Sequence, residues 1–307
     1  MARIQRNAGT ASEYCVKPCL PCRQNSRTLQ KVFIIMIPGI HVSTTGGLEK
    51  SPGRLRELSL QAGQIFTANQ RRWVSSPLPS KRVDKFRDET GDLKFVSHAS
   101  YLINPASSRE DVVRKSVKAL EDEYSRCILL GIPCIVIHPG AYQQNGLEKG
   151  IEMIAAALDD LFSRFNEGPL ILLENTAGAG TTVGRKLEEL RAVRDMSENP
   201  ERIGYCIDTA HAHGAGYDVG SDSFHEELDS VLGAELIKVF HLNGSKVEAG
   251  SNRDRHEHFD EGFIAMSSIR KLFSSSMFHH ALGIAETPGT DRERASDIRL
   301  LEGKETT

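Results

Sequence analysis

The chain has 307 residues, of which 39% are hydrophobic and 26% charged, a composition typical of a folded protein with a large core and not of a disordered chain. Its longest apolar run, residues 32–37, is too short to cross a bilayer, so we expect no membrane anchor. The formal net charge of −3 excludes a protein that binds nucleic acid through a uniformly basic surface. If the protein binds nucleic acid, the positive charge must be concentrated at one site or be supplied by bound ions.

Residues 1–31 are rich in basic residues and poor in acidic ones. The basic residues are Arg3, Arg6, Lys17, Arg23, Arg27 and Lys31, against the single acid Glu13. This composition is that of a flexible tail or a transit-like leader, and Met36 offers an alternative start. We therefore predict an N-terminal extension over 1–31 and one folded domain over 32–307.

The cysteines of this extension, Cys15, Cys19 and Cys22, have a C-x₃-C-x₂-C spacing that resembles the iron–sulfur motif of radical SAM enzymes. That motif normally follows the first barrel strand, whereas this one precedes every credible strand and contains two prolines, so a cluster is disfavoured. The other cysteines stand singly in apolar segments, which indicates buried thiols and a reducing, intracellular location. They are Cys127, Cys134 and Cys206.

Eight short apolar runs alternate with longer amphipathic stretches after residue 31. The runs cover residues 32–42, 64–67, 94–99, 134–138, 170–175, 203–208, 237–242 and 281–287. Predicted helices cover roughly 107–130, 146–165, 184–197, 223–233, 263–275 and 290–302, and residues 107–110 match a capping box. This alternation predicts an α/β fold, a (β/α)₈ TIM barrel of parallel strands. The alternative is an open doubly wound sheet.

Imidazole or carboxylate side chains stand at the ends of six of these runs. They are His98, His138, Glu174, Asp208, His241 and Glu286. In a barrel these strand ends meet at one face, where catalytic sites of this fold lie. Packed carboxylates would repel one another unless a cation balanced them. Imidazole with carboxylate suits Zn²⁺, with Mn²⁺ and Fe²⁺ as alternatives, so we predict a metal cluster.

Two later segments add candidate ligands. His211 lies just beyond the strand that ends at Asp208. Asp254 and His256 are two residues apart, so an extended loop would present both on one side. His258 shares that side, and we interpret it as a supporting or structural residue.

The segments around these residues form nine longer motifs. In chain order they are HVSTTGG (41–47), FTANQRRW (66–73), HASYLIN (98–104), HPG (138–140), LENTAG (173–178), DTAH (208–211), HLN (241–243), DRH (254–256) and ET (286–287). Together they resemble the endonuclease IV family of apurinic/apyrimidinic endonucleases. The resemblance implies a xylose-isomerase-like barrel and a phosphodiesterase of DNA base excision repair. Such an enzyme cuts the backbone 5′ to an abasic site, leaves a 3′ hydroxyl and also trims blocked 3′ ends.

The resemblance implies three zinc ions, with Mn²⁺ as an alternative at one position. His98, His138 and Glu174 would hold the first. Glu174 would bridge to the second, which Asp208, His241 and Glu286 complete, and His211, Asp254 and His256 would hold the third. Every one of these positions has the ligand type that the family requires, which argues against an inactive homologue.

Three Zn²⁺ would bring +6 and the carboxylates of Glu174, Asp208, Asp254 and Glu286 would bring −4, leaving +2 at the site. The ions would therefore supply the local positive charge that the chain lacks. Zinc lowers the pKa of bound water to about 7, so we expect a hydroxide beside Glu174 to attack the phosphorus. The charge of the cluster would stabilise the transition state.

The resemblance also implies side chains that enter the DNA at the lesion, because an abasic nucleotide has lost its stacking and is extruded at low cost. The matching residues are Arg71, Tyr101 and Leu102, and Arg72, Lys246, Arg253 and Arg255 are predicted phosphate contacts. The alternative is that the basic residues are solvated surface charges and that the other two pack within their loop.

Three positions depart from the family pattern. Gly244 stands where the family usually has Asp, and Asp260 and Ala265 stand where it usually has Gly. Loss of a carboxylate that supports a metal ligand typically costs about 10–100-fold in affinity or activity. We therefore expect these changes to affect the rate and not the type of reaction.

Two other functions are compatible with parts of the pattern. A sugar isomerase or epimerase of xylose-isomerase-like barrels would use one or two metals, which leaves the third ligand set unexplained. A damage-binding protein without turnover is supported only by Gly244. For the endonuclease we predict a monomer that acts on double-stranded DNA and not on membranes. Its location would be the cytoplasm of a bacterium, or the nucleus or mitochondria of a eukaryote.

Overall fold

The computed structural model describes residues 35–303. The predicted extension over 1–31, with Cys15, Cys19 and Cys22, lies outside the described residues. Within the described part, eight parallel strands close into a barrel, and the last strand of the barrel pairs with the first. The predicted (β/α)₈ barrel is therefore confirmed over the open sheet.

The strands are short, as expected for a barrel wall buried on both faces. They are β1 (Ile37–His41), β2 (Ala62–Ile65), β3 (Lys94–His98), β4 (Cys134–Ile137), β5 (Leu170–Glu174), β6 (Ile203–Asp208), β7 (Ile237–Leu242), β8 (Gly244–Ser245), β9 (His256–Glu257) and β10 (Leu282–Ala285). β8 and β9 form a separate antiparallel pair. Each predicted run overlaps a barrel strand, but the bounds of the run at 64–67 were wrong, because the strand begins and ends two residues earlier. β2 begins at the small residues Ala62 and Gly63, which contribute little apolar bulk to the pattern.

The helices lie in the connections between these strands. They are α1 (Ser51–Glu57), α2 (Ser80–Thr90), α3 (Glu110–Leu130), α4 (Leu147–Arg164), α5 (Leu187–Met196), α6 (Thr209–Ala215), α7 (Asp222–Glu227), α8 (Met266–Phe273) and α9 (Asp291–Glu302). The sequence pattern does not predict α1, α2 or α6. Pro52 and Gly53 in the first turn of α1 are typical of a reverse turn, and α2 buries only Val83 and Phe86.

The capping box predicted at residues 107–110 is wrong. α3 begins at Glu110, so this glutamate is the first helical residue and not the third, which a capping box requires. The Ser107 hydroxyl instead accepts a hydrogen bond from the amide of Arg109 at 3.2 Å. A capping box does form at the start of α9, between Thr290 and Glu293.

The barrel interior is filled by apolar side chains, one from almost every strand. They are Ala62, Val96, Val136, Leu172, Cys206, Val239 and Ile284. β1 contributes Gly39 to this region, where a Cβ would lie 2.5 Å from the carbonyl oxygen of Ala62. A second, larger apolar layer packs the helices onto the outside of the barrel. In residues 35–303, no helix combines the length and apolarity needed to span a bilayer.

Candidate metal centre

The nine candidate ligands lie at or beyond the carboxyl ends of the barrel strands. Three close a strand, namely His98 in β3, Glu174 in β5 and Asp208 in β6, and the others follow a strand or lie near its end. Because the strands are parallel and the barrel is closed, these ends converge on one mouth. Most of the side chains are buried there, with Glu174 only 1% exposed.

The first predicted set is compact. Nε2 of His98 lies 3.2 Å from Oε2 of Glu174, and Nε2 of His138 lies 3.0 Å from the same oxygen. Two ligand atoms of a tetrahedral zinc lie about 3.3 Å apart when each is about 2.0 Å from the ion. The spacing of these donor atoms therefore suits one cation.

The second set shares Glu174 with the first. Nδ1 of His241 lies 2.9 Å from Oε1 of Glu174 and 3.2 Å from Oε2 of Glu286. Asp208 completes a group whose donor atoms all lie within 4.8 Å of one another. Glu174 thus presents one oxygen to each of the first two sets, as a bridging ligand would.

The third set is built around Asp254, which lies between β8 and β9. Oδ2 of Asp254 lies 3.2 Å from Nε2 of His211, and Oδ1 lies 3.1 Å from Nε2 of His256. Asp208 also approaches this set, with Oδ2 3.6 Å from Nε2 of His256. The structure therefore brings all nine candidate side chains together, and Asp208 lies between the second and third sets.

The hydrogen bonds of the histidine rings test whether cations fit here. Two of the candidate histidines contact a backbone carbonyl through their Nδ1 atoms. Nδ1 of His98 lies 2.7 Å from the carbonyl of Ala99, and Nδ1 of His211 lies 2.9 Å from that of Asn175, with Oε1 of Glu174 at 3.4 Å. Metal-bound histidines use their second ring nitrogen in this way. Nε2 of His256 is buried, and its 3.1 Å contact with Asp254 lacks the geometry of a hydrogen bond. The donor set fits divalent cations.

The electrostatics of the site point the same way. Burial lowers the pKa of His256, but the charge of Asp208 and the close contact with Asp254 outweigh burial and raise this pKa to about 9. Burial alone would raise the pKa of Glu174, but the charges of His138 and His241 outweigh burial and hold this pKa well below its usual range. Positive charge nearby is therefore needed to stabilise the ionised carboxylates, and either protonated histidines or metal ions can provide it.

Comparison with known proteins identifies the family. Residues 53–303 match the family described as "Xylose isomerase-like TIM barrel". "Probable endonuclease 4" of Halothermothrix orenii is 38% identical over 270 residues, covering 86% of this chain and 97% of the relative. The protein of the same name from Chloroflexus aggregans is 39% identical over 258 residues, covering 81% of this chain and 90% of the relative. The chain belongs to the endonuclease IV family. Its predicted enzyme class, a hydrolase with nuclease activity, follows from that membership.

Solved structures agree with the family assignment. Endonuclease IV from Thermus thermophilus has a TM-score of 0.77 at 31% identity and covers 87% of this chain and 97% of its own. A D-tagatose 3-epimerase-like protein has a TM-score of 0.67 at 21% identity, and covers 87% of this chain and 96% of its own. The second likeness shows the shared barrel fold alone.

Three polar residues that sequence analysis did not single out as part of the site contact the candidate ligands of this endonuclease IV family member. Nε2 of Gln64 lies 2.5 Å from Oε1 of Glu286, and Oε1 of Gln64 lies 2.8 Å from Nε2 of His241. His41 contacts the same Glu286 oxygen at 3.0 Å. The amide of Asn243 donates to Asp208 at 2.6 Å. His41 ends β1, so the strand-end rule could have found it.

The predicted DNA-contacting residues all lie in connections at the barrel mouth. Tyr101 is 54% exposed and lines a cavity of about 160 Å³ together with several of the candidate ligands. Arg71 and Arg72 line a neighbouring cleft of about 890 Å³. The remaining predicted contacts are Leu102, which is half-buried, and the exposed Lys246, Arg253 and Arg255. Lys246 lies 3.5 Å from Glu257, and Arg255 donates to the carbonyl of Asp254 at 2.5 Å.

The residue at position 244 has a steric explanation. Gly244 pairs with Glu257 in the β8–β9 pair, and a Cβ at position 244 would lie 2.3 Å from the carbonyl oxygen of His258. A glycine there lets the strand that carries His256 approach closely. His258 itself contacts Asp297 of α9 at 2.9 Å. Asp260 is exposed and Ala265 precedes α8, so neither departure touches the ligands.

Proposed function

We propose that this chain is an apurinic/apyrimidinic endonuclease that cuts the DNA backbone 5′ to an abasic site, leaves a 3′ hydroxyl and trims blocked 3′ ends. It would act as a monomer on double-stranded DNA inside the cell. The observation that carries the proposal is the gathering of nine imidazole and carboxylate side chains at one barrel mouth. The endonuclease 4 relatives support the same chemistry.

We propose that three zinc ions bind here, with Mn²⁺ as an alternative at one position. The ligands would be His98, His138 and Glu174 for the first, Glu174, Asp208, His241 and Glu286 for the second, and His211, Asp254 and His256 for the third. Bound zinc would supply positive charge to the phosphate and lower the pKa of water to about 7.

The protein's own contribution is orientation and exclusion of water. Glu174, the proposed catalytic residue, is nearly fully buried and serves two ligand sets, so its two oxygens fix their relative position. Gln64 and Asn243 donate amide hydrogen bonds to Glu286 and Asp208, which keeps these carboxylates in one orientation. Tyr101 and Phe66 line the cavity over the site and restrict its access to solvent.

The Glu174→Gln variant tests this proposal. It keeps the size of the side chain but removes the charge shared by two ligand sets, so we expect incision of a defined abasic duplex to fall by about 10³-fold. The assay would follow product ends on a gel with and without chelator, and metal content would be measured in parallel. Glu201→Gln, an exposed change just before β6 at the other end of the barrel, is the matched control.

The outcomes separate the candidate functions. Undiminished incision by Glu174→Gln would refute the metal-dependent reaction. Binding of abasic DNA by the unaltered chain without incision in added Zn²⁺ would indicate a damage-binding protein. About three metals per chain favours the nuclease, whereas one or two with sugar turnover would favour an isomerase.

A further inference from the structure

Two buried, ionisable residues of α3 contact the loop that carries Arg71, here called the Arg71 loop (residues 66–79). Glu123 is 6% exposed and Arg126 is 8% exposed, and they lie about one turn apart on the helix. Neither residue belongs to the metal centre. Burying such groups is costly unless their hydrogen bonds are satisfied, so their partners indicate what they do.

Glu123 joins the start of the loop to the end of β3. Its carboxylate accepts hydrogen bonds from the hydroxyl of Thr67 at 2.7 Å and from the hydroxyl of Ser97 at 2.5 Å. Ser97 directly precedes the candidate ligand His98. One carboxylate therefore fixes the start of the Arg71 loop relative to the metal centre.

Arg126 joins the two ends of the loop. Its guanidinium donates to the carbonyl of Thr67 at 3.3 Å and to the carbonyl of Ser76 at 2.5 Å. These two residues flank Arg71 in the chain. A guanidinium presents several donors in one rigid plane, so it can hold both carbonyls at a set separation, which an apolar residue of similar size cannot do.

The middle of the loop is held as well. The hydroxyl of Ser100, in the connection that carries Tyr101, donates to the carbonyl of Gln70 at 2.7 Å. The side chain of Asn69 accepts from the amide of Arg71 at 2.9 Å. The backbone at Arg71 is thus ordered although its side chain is exposed.

We propose that Glu123 and Arg126 are positioning residues that hold the Arg71 loop in the shape needed to enter damaged DNA, in register with His98. This inference rests on the proposed function. A loop whose backbone is held before binding loses less conformational entropy when DNA binds, so the gain appears as affinity for the lesion.

Hydrogen exchange on the metal-loaded full chain without DNA tests the tether itself. Arg126→Met removes both carbonyl contacts, and Glu123→Gln and Thr67→Val weaken the start of the loop. We expect the amides of Arg71 and Arg72 to exchange about 10–100-fold faster in these variants. Arg114→Met, an exposed change on the same helix whose ion-pair partner is Glu110, should leave them unchanged. Unchanged protection in the folded tether variants would overturn the proposal.

Incision kinetics test the consequence. For abasic duplex we expect Arg126→Met to raise KM about 10-fold with little change in kcat or metal content, and Arg126→Lys to restore part of the loss. In the Arg71→Ala background the same change should have little further effect, because both act through one loop. If the effects of Arg126→Met and Arg71→Ala on KM multiplied in the double variant, or if kcat alone fell, the positioning role would be overturned. If the unaltered chain cuts no abasic DNA, the proposed function fails while the exchange result still reports on the tether.

Discussion

At the scale of single residues, amide side chains contact the candidate ligands. Asn243 is fully buried and has two tasks: its amide nitrogen donates to Asp208, and its amide oxygen accepts from the backbone of Glu286 at 3.1 Å. One side chain therefore orients ligands from two strands. Such supporting contacts typically change metal affinity by about 10–100-fold.

Asn243→Ala should therefore weaken metal retention by about 10–100-fold without unfolding the barrel. The measurement is metal content after dialysis against graded chelator. Asn199→Ala is a suitable control, since Asn199 contacts Asp159 at 3.1 Å in the connection before β6, away from the ligands. Equal retention by both variants would show that Asn243 does not support the metals.

At the scale of elements, the short β8–β9 pair connects Gly244, which departs from the family pattern, to the third candidate ligand set. β9 begins with His256, and its pairing with β8 depends on the absence of a side chain at Gly244. Asp297 of α9 also accepts hydrogen bonds from His258 and from Thr287, which follows Glu286. The ligand segment is thus held from both sides.

Gly244→Ala should displace β9, because the added Cβ meets backbone, which cannot move as a flexible side chain would. We expect a loss of about 1–3 kcal/mol in the free energy of unfolding, as for other overpacked sites, together with loss of the third metal. Urea denaturation and metal analysis would measure the two effects. Gly53→Ala, where a Cβ meets no atom within 4 Å, should show neither. Retention of every metal by Gly244→Ala would contradict this account.

At the scale of the whole molecule, the net charge of −3 predicts that DNA binding depends on cations held at the candidate metal centre. Among the proposed phosphate contacts, Lys246 lies 3.5 Å from Glu257, which offsets part of its charge. The metals would then supply much of the attraction to phosphate.

Removal of metal should therefore weaken binding to abasic duplex and to intact duplex alike. It should also flatten the salt dependence of affinity, whose slope falls by about 0.9 for each phosphate that the protein no longer neutralises. Fluorescence anisotropy over a salt series would measure both, and circular dichroism would show that the metal-free chain stays folded. Equal affinity and slope with and without metal would assign the attraction to Arg71 and its neighbours instead.

Local patterns were sufficient for the barrel and for the candidate ligands. Buried parallel strands produce apolar runs, and a polar side chain at the end of such a run must lie at the barrel mouth. Hence His98, Glu174 and Asp208 could be assigned to one face before any coordinates. The same rule does not reach Gln64, which lies inside a strand and has no distinguishing neighbours in the chain.

Contacts between segments that are distant in the chain could be identified only from the folded structure. Gln64 reaches Glu286, and Arg126 holds the two ends of the Arg71 loop, because the closed barrel brings separate connections together. The capping box at residues 107–110 failed for a related reason: Ser107 and Ser108 instead donate to Gln143 of another connection. Periodicity reports what each segment buries, whereas packing between segments decides which polar groups meet.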